Sequence, residues 1–150
     1  MTARPWLLYL CVLTASCGSG RPSPATLDSR NDQCASCRMA VSDPRFAAQV
    51  VAPGEEPLFF DDLGCLVAYL TQHPTLPPQA VAYVADHRSG EWAPASAAVF
   101  TRVDGVSTPM GSHLLAHQSA ASRDLDESAR GGADVRPTAL LQIPFPDGGR

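Results

Sequence analysis

The chain has 150 residues, a formal net charge of −4, 45% apolar residues and 17% charged residues. That length gives room for one domain or two very small units, and the composition is globular rather than disordered. The sequence contains no lysine, and its 11 arginines are scattered singly. This pattern excludes the concentrated basic face of a nucleic-acid-binding protein and the polybasic patch of a membrane-surface protein.

Residues 1–16 predict a signal peptide. An apolar run from Trp6 to Leu13 follows Arg4, and small residues then lead into Cys17. The run is too short for a membrane-spanning helix, which needs about 20 residues. Small residues before a cysteine are similar to the bacterial lipobox, so we expect a lipid anchor on Cys17 and a location on the periplasmic face of a bacterial membrane. The alternative is an ordinary secretory cleavage region.

Residues 17–33 predict a flexible linker behind the anchor, because Gly, Ser, Pro and polar residues leave almost nothing to bury. The folded domain is expected to span residues 34–143, and residues 144–150 are predicted to be a disordered tail. A spacer of this kind holds a folded domain off the membrane surface.

The first predicted unit covers residues 34–88. Short apolar segments at 46–52 and 56–60, separated by a Pro-Gly turn, predict two strands. Residues 63–72 carry apolar side chains at the i, i+3, i+4, i+7 spacing of an amphipathic helix. A further apolar segment at 80–85 predicts a third strand, which gives the order strand, strand, helix, strand.

The second predicted unit, residues 91–143, repeats this order less clearly. A strand is predicted at 97–103, a helix within 110–128 and a terminal strand at 139–143. The predicted fold class is therefore α+β, with two small strand-strand-helix-strand units.

Three cysteines remain for the mature domain, Cys34, Cys37 and Cys65. An odd number excludes a fully disulfide-paired scaffold within the monomer. Cys34 and Cys37 belong to a C-x-x-C-x-M motif that ends at Met39. Two thiols and a thioether form a soft donor set, which favours copper(I) over hard ions.

A second pair of candidate ligands lies in the Thr-Pro-Met-Gly-Ser-His segment, where Met110 and His113 are three residues apart. The segment is predicted to open a helix, and in its first turn both side chains can face the same way. Met110 can equally fill a core, and His113 can be an ordinary surface histidine.

The C-x-x-C motif has other readings. It can close a small disulfide in an exported protein, or form half of a zinc site that Cys65 and histidines complete. A thiol-disulfide oxidoreductase would place the motif at a helix N-terminus after a strand, whereas here a linker precedes Cys34. Asp61 and Asp62 are interpreted as a helix cap, and with no G-x-S-x-G motif nothing indicates a hydrolase.

Several short motifs stand in order between residues 30 and 136. They are Asp32–Met39, Phe46–Val50, Phe60–Cys65, Trp92, Thr108–Gly111 and the pair Gly131-Gly132. Together they resemble the NosL family of nitrous-oxide-reductase accessory lipoproteins. That family usually has glycine where this chain has Arg38.

The resemblance implies a copper(I)-binding periplasmic lipoprotein that is not an enzyme. It implies delivery of copper to membrane-bound copper-site assembly machinery and nitrous oxide reductase, without nucleic acid or a small-molecule substrate. The copper(I) ligands that we expect are Cys34, Cys37, Met39 and Met110, with His113 and Cys65 as further candidates. Two rival hypotheses are an exported thiol-disulfide oxidoreductase and a structural lipoprotein whose C-x-x-C is a passive disulfide.

Overall fold

Residues 20–141 are described by the computed structural model, so the predicted signal peptide, the anchor at Cys17 and the tail at 144–150 fall outside the described residues. Within 20–141, two antiparallel sheets combine with three α-helices, which confirms the α+β class. The strands are β1 (Ala48–Val51), β2 (Leu58–Phe60), β3 (Val81–Ala85), β4 (Trp92–Pro94), β5 (Val99–Arg102), β6 (Leu114–His117) and β7 (Ala133–Val135). The helices are α1 (Leu63–Gln72), α2 (Ala120–Asp124), α3 (Pro137–Leu141) and the 3₁₀ helices Pro44–Phe46 and Glu127–Ala129.

The first sheet has the strand order β2-β1-β3-β4, and each neighbouring pair is antiparallel. Helix α1 packs on β1 and β2, and its buried residues Leu63, Leu66 and Leu70 lie on one helical face. The helix starts where the sequence predicts because Asp62 caps it, accepting a hydrogen bond from the Gly64 N–H at 2.6 Å. The first half therefore has the predicted order, with β4 added beside β3.

The second sheet has the order β6-β5-β7, again antiparallel. Since α2 lies between β6 and β7 in the chain, this half also runs strand, strand, helix, strand. Strand β5 passes very close to Gly132, where an added Cβ would lie 2.8 Å from the Arg102 carbonyl oxygen. Only glycine fits this point without a shift of the backbone.

The predicted helix at 110–128 is wrong over most of its length. Residues up to His113 form a loop and Leu114–His117 form β6. Only the five residues of α2 are α-helical, and a 3₁₀ helix starts at Glu127. The physical reason is pairing: β6 forms an antiparallel ladder with β5 and all four of its residues are buried. His113 also has a positive φ of 58°, which a continuous helix does not allow.

The predicted strand at 139–143 is also wrong over its described part. Residues 139–141 belong to α3, which Pro137 opens, and proline is favoured in the first turn of a helix. The strand that completes the second sheet is β7, which lies earlier in the chain. Helix α3 packs instead against α1, with Leu141 buried in the core.

Residues before Cys34 already contact the first sheet. The Gln49 side chain bonds both backbone groups of Ala25, accepting from its N–H at 2.7 Å and donating to its carbonyl at 3.2 Å. The Tyr83 hydroxyl donates to the Pro22 carbonyl. Part of the segment 17–33, which the sequence predicts to be a flexible linker, therefore makes hydrogen bonds with the first sheet. Among residues 20–141, no helix is long and apolar enough to cross a membrane.

Candidate metal centre

The C-x-x-C-x-M motif forms a loop closed by its own backbone. The Cys34 N–H donates to the Met39 carbonyl at 2.8 Å, and the Arg38 N–H donates to the Cys34 carbonyl at 2.9 Å. Inside the loop, the Cys37 N–H points at the Cys34 Sγ at 3.4 Å. These hydrogen bonds hold the two cysteines on the same turn without a disulfide between them. Both are free thiols.

Arg38 occupies a left-handed backbone conformation within this loop, with φ of 68°. A side chain there costs about 1–2 kcal/mol, whereas glycine adopts the conformation freely. This is the position at which the NosL pattern usually has glycine. The arginine therefore departs from the pattern in residue type and occupies a backbone conformation that glycine adopts more readily.

The loop lies beside the junction of β2 and α1. Cys34 forms a parallel bridge with Phe59, and the Ala35 N–H donates to the Phe59 carbonyl at 2.8 Å. This contact brings the two cysteines next to Asp61, which follows β2, and Cys65, which lies in the first turn of α1. One ligand atom from each of these four residues lies within 4.8 Å of the others. We call Cys34, Cys37, Asp61 and Cys65 the thiol cluster.

The thiol cluster is shielded from solvent except at Cys37. Cys34, Asp61 and Cys65 are buried, whereas Cys37 is half-buried. Burial raises the pKa of the Cys37 thiol, and its hydrogen bonds to Asp61, 3.4 and 3.5 Å long, raise it further. Burial and the Asp61 carboxylate raise the pKa of Cys65 as well. Both thiols are therefore protonated at neutral pH, and a metal ion must displace their protons.

Two exposed methionines lie on the loops beside this cluster: Met39 follows Cys37 in the chain, and Met110 belongs to a loop that contacts Asp62. Met39 is 57% exposed and Met110 is 46% exposed, although large apolar side chains normally avoid water. The Met110 N–H donates to the Asp62 carboxylate at 2.9 Å, which ties the Met110 loop to the first turn of α1. The loop can come this close because Gly64 has no side chain: an added Cβ would lie 3.0 Å from the Ser112 Cβ.

His113 does not share a helical turn with Met110, so the prediction that the two side chains face the same way in a helix is wrong. Its Nδ1 bonds the Val106 carbonyl at 2.8 Å, and its backbone N–H donates to the Thr108 hydroxyl at 3.2 Å. His113 therefore closes its own loop. Among residues 20–141 it belongs to neither group of side chains whose geometry suits a metal ion.

The family model of NosL matches residues 24–137, which include both sheets and the whole thiol cluster. The chain belongs to the NosL family. Searches of curated proteins and of solved structures found no significant match. NosL proteins are copper-binding accessory proteins rather than known enzymes, and the thiol cluster supplies the metal-binding group that such a role needs.

The donor set of this NosL protein fits a soft or borderline cation. Three thiolates favour copper(I), and three thiolates with one carboxylate also suit a tetrahedral zinc ion. The sequence predicts the three cysteines as metal ligands, but it predicts Asp61 as part of the helix cap. The structure divides the two aspartates, because Asp62 caps α1 while Asp61 faces the Cys37 thiol.

A second group of possible ligands was not found from the sequence. His87, His117 and Asp126 also place one ligand atom each within 4.8 Å of the others. Neither histidine lies in a recognisable ligand motif. Asp126, which contacts both of them, is 39 positions beyond His87. No spacing rule connects residues so far apart, so only the fold brings them together. We call these three residues the histidine cluster.

Proposed function

We propose that this NosL protein is a periplasmic lipoprotein that binds copper(I) in the thiol cluster and delivers it to the assembly of nitrous oxide reductase. The observation that carries the proposal is the convergence of three free thiols, one of which is half-buried. Soft sulfur ligands give copper(I) high affinity, and a small number of ligands leaves the ion open to exchange.

Binding starts with loss of the thiol protons. The Cys37 thiol already points at the Asp61 carboxylate, so that carboxylate is placed to take its proton as the metal arrives. No electron moves in this step: copper(I) replaces protons on sulfur, and the protons pass to solvent. The buried Cys34 and Cys65 then hold the ion from the interior side.

Transfer to an acceptor uses the open side of the cluster. Met39 and Met110 expose thioethers on the loops next to Cys37 and Asp62. A soft ligand of the acceptor can attack copper here while the thiolates still hold it, so that the ion never becomes free in solution. In this proposal both methionines assist exchange, and the lipid on Cys17 keeps the protein near membrane-bound acceptors.

The rival function, thiol-disulfide exchange, has less support from the geometry. An exchange-active thiol needs a lowered pKa, usually at a helix N-terminus. Cys34 and Cys37 lie in a loop before β1, and burial raises the pKa of Cys37. Both features suit a site in which a metal, rather than a disulfide partner, replaces the proton.

The test is a copper(I) titration of the full-length reduced protein in competition with a chromophoric chelator. We expect one tightly bound copper(I), and a loss of affinity of more than about 100-fold in Cys37→Ser, because even partners outside the ligand sphere cost 10- to 100-fold. Ser36→Ala, an exposed change in the same loop, is the matched control. Equal affinity of Cys37→Ser and the wild type would contradict the proposal.

A further inference from the structure

The histidine cluster connects the two halves of the molecule. His87 follows β3 of the first sheet, His117 ends β6 of the second sheet, and Asp126 caps the 3₁₀ helix Glu127–Ala129. The backbone N–H of His87 donates to the Ala116 carbonyl at 2.8 Å. This hydrogen bond joins the ends of β3 and β6. The cluster shares no residue with the thiol cluster.

Both imidazoles meet the same carboxylate oxygen. The Asp126 Oδ2 lies 2.6 Å from the His87 Nδ1 and 2.9 Å from the His117 Nε2. The two rings stand nearly edge to face, with an interplanar angle of 71°. Ligand atoms around a tetrahedral zinc ion are separated by roughly 3.4 Å, given metal–ligand bonds of about 2.0–2.2 Å. The two N···O distances would therefore have to widen by less than about 1 Å to reach this separation.

The three side chains are almost completely withdrawn from water, with exposed fractions of 6% for His87, 0% for His117 and 8% for Asp126. The Asp126 carboxylate is held from its other side, since its Oδ1 accepts a hydrogen bond from the Ser128 N–H at 2.9 Å. A carboxylate oxygen therefore lies between two imidazole nitrogens at a place withdrawn from water.

Hydrogen bonds within the chain do not satisfy this cluster completely. The His117 Nδ1 is buried and has no hydrogen-bond partner among the described residues. An ion bound at Nε2 would not pair this atom, so the site rests on the contacts of Nε2 and not on the orphan nitrogen. The polar contact of this ring is made through Nε2, the atom that faces Asp126 and would bind an ion.

The histidine cluster borders a surface pocket at Asp126. A surface pocket of about 420 Å³ has Asp126 in its wall, together with Asp134, Arg123 and Arg130. Asp126 is the residue of the histidine cluster that borders this pocket.

We propose that His87, His117 and Asp126 form a second metal site, for a borderline divalent cation such as Zn²⁺. Two imidazoles and a carboxylate are ligands of borderline transition metals, whereas copper(I) prefers the sulfur atoms of the thiol cluster. Because the ligands come from both sheets, a bound ion fastens the two halves together. The site is independent of copper delivery and does not rest on that proposed function.

The test uses Co²⁺ and Zn²⁺ with the full-length reduced protein. Co²⁺ in the histidine cluster gives visible ligand-field absorption without the thiolate charge-transfer band that marks the thiol cluster. We expect Asp126→Asn to lose this thiolate-free component and Asp124→Asn, an exposed control two positions away, to retain it. A Co²⁺ spectrum of purely thiolate type, or one that Asp126→Asn leaves unchanged, would overturn the site.

A second measurement needs no variant, in case Asp126→Asn does not fold. Zn²⁺ is added to wild-type protein with ¹⁵N-labelled histidine, and the imidazole nitrogen resonances are followed. We expect shifts at the His87 Nδ1 and the His117 Nε2 and none at the exposed His73. If the His87 and His117 resonances do not respond, the cluster is a hydrogen-bonded brace and not a metal site.

Discussion

The thiol cluster and the histidine cluster are assembled in different ways. The thiol cluster comes from one loop and the β2–α1 junction, all within the first half of the chain, and it is open at Cys37. The histidine cluster takes its ligands from both halves and is buried. An open local site suits a cargo that must leave, whereas a buried site that bridges two sheets suits an ion that stays.

Their protonation states differ as well. The thiol cluster holds protonated thiols, because burial raises the pKa values of Cys37 and Cys65. The region around the histidine cluster holds ionised carboxylates, since hydrogen bonds lower the pKa values of Asp86 and Asp126 to about 2. The thiols of the first region therefore lose their protons only at high pH, whereas the carboxylates of the second region gain protons only in strong acid.

The largest expected effect is the pH dependence of copper(I) affinity. Each thiol proton that copper displaces lowers the affinity about tenfold per pH unit below the thiol pKa. With Cys37 and Cys65 both protonated at neutral pH, these two thiols alone give a fall of about 100-fold per unit between pH 8 and 6, so we expect a total fall of at least that size. Chelator competition at several pH values measures the slope. A flat profile would mean that copper does not bind through these thiols.

The next effect concerns the bridge between the sheets. His117→Ala removes a fully buried ring and leaves Asp126 and His87 with fewer partners, so we expect a loss of about 2–4 kcal/mol in the free energy of unfolding. Denaturant titration measures this loss. His73→Ala, at an exposed position, is the control and should cost much less. A His117→Ala variant as stable as the control would show that the histidine cluster does not hold the halves together.

Acid should weaken the region around the histidine cluster through Asp86. Burial opposes ionisation of this carboxyl group, but hydrogen bonds from the N–H groups of Gln118, Ser89 and Arg88 lower its pKa to about 2. A lowered carboxyl pKa stabilises the fold above the unfolded value of 3.8, and this contribution of about 2 kcal/mol is lost as pH falls from 4 to 2.

Comparison with Asp86→Asn isolates this contribution. The free energy of unfolding of the variant should fall less steeply between pH 4 and 2 than that of the wild type. Parallel stability curves for the two proteins would show that other carboxylates cause the acid sensitivity.

The smallest effect is expected at Arg38. Arg38→Gly relieves the left-handed backbone at φ 68° but loosens the unfolded chain, so we expect a net gain of only about 0.5 kcal/mol and unchanged copper(I) affinity. Arg30→Gly, at an exposed position without a positive φ, should instead lower stability. Thermal unfolding of both variants gives the comparison. A loss of stability in Arg38→Gly equal to that in Arg30→Gly would show that Arg38 is not strained.

Sequence patterns predicted the first half better than the second. Helix α1 begins and ends where its apolar spacing and the Asp62 cap indicate, and β1 to β3 lie within the predicted strands. In the second half, the apolar residues of Leu114–His117 fitted a helical pattern but pair with β5, because tertiary contacts override a weak local preference.

The same contrast applies to the two clusters. The cysteines of the thiol cluster are recognisable from residue type and the C-x-x-C spacing, although the part played by Asp61 depends on how β2 meets α1. The histidine cluster carries no local pattern. Asp126 is 39 residues from His87 and nine from His117, and only the packing of the two sheets brings the three side chains together.

Copper X-ray absorption spectroscopy tests most directly whether the thiol cluster is the copper site. The sample is full-length protein loaded with one equivalent of copper(I). We expect a first shell of sulfur atoms from Cys34, Cys37 and Cys65, which loses one sulfur in Cys37→Ser. A first shell that contains imidazole nitrogen, unchanged in Cys37→Ser, would place copper at histidine and contradict the assignment of the thiol cluster as the copper site.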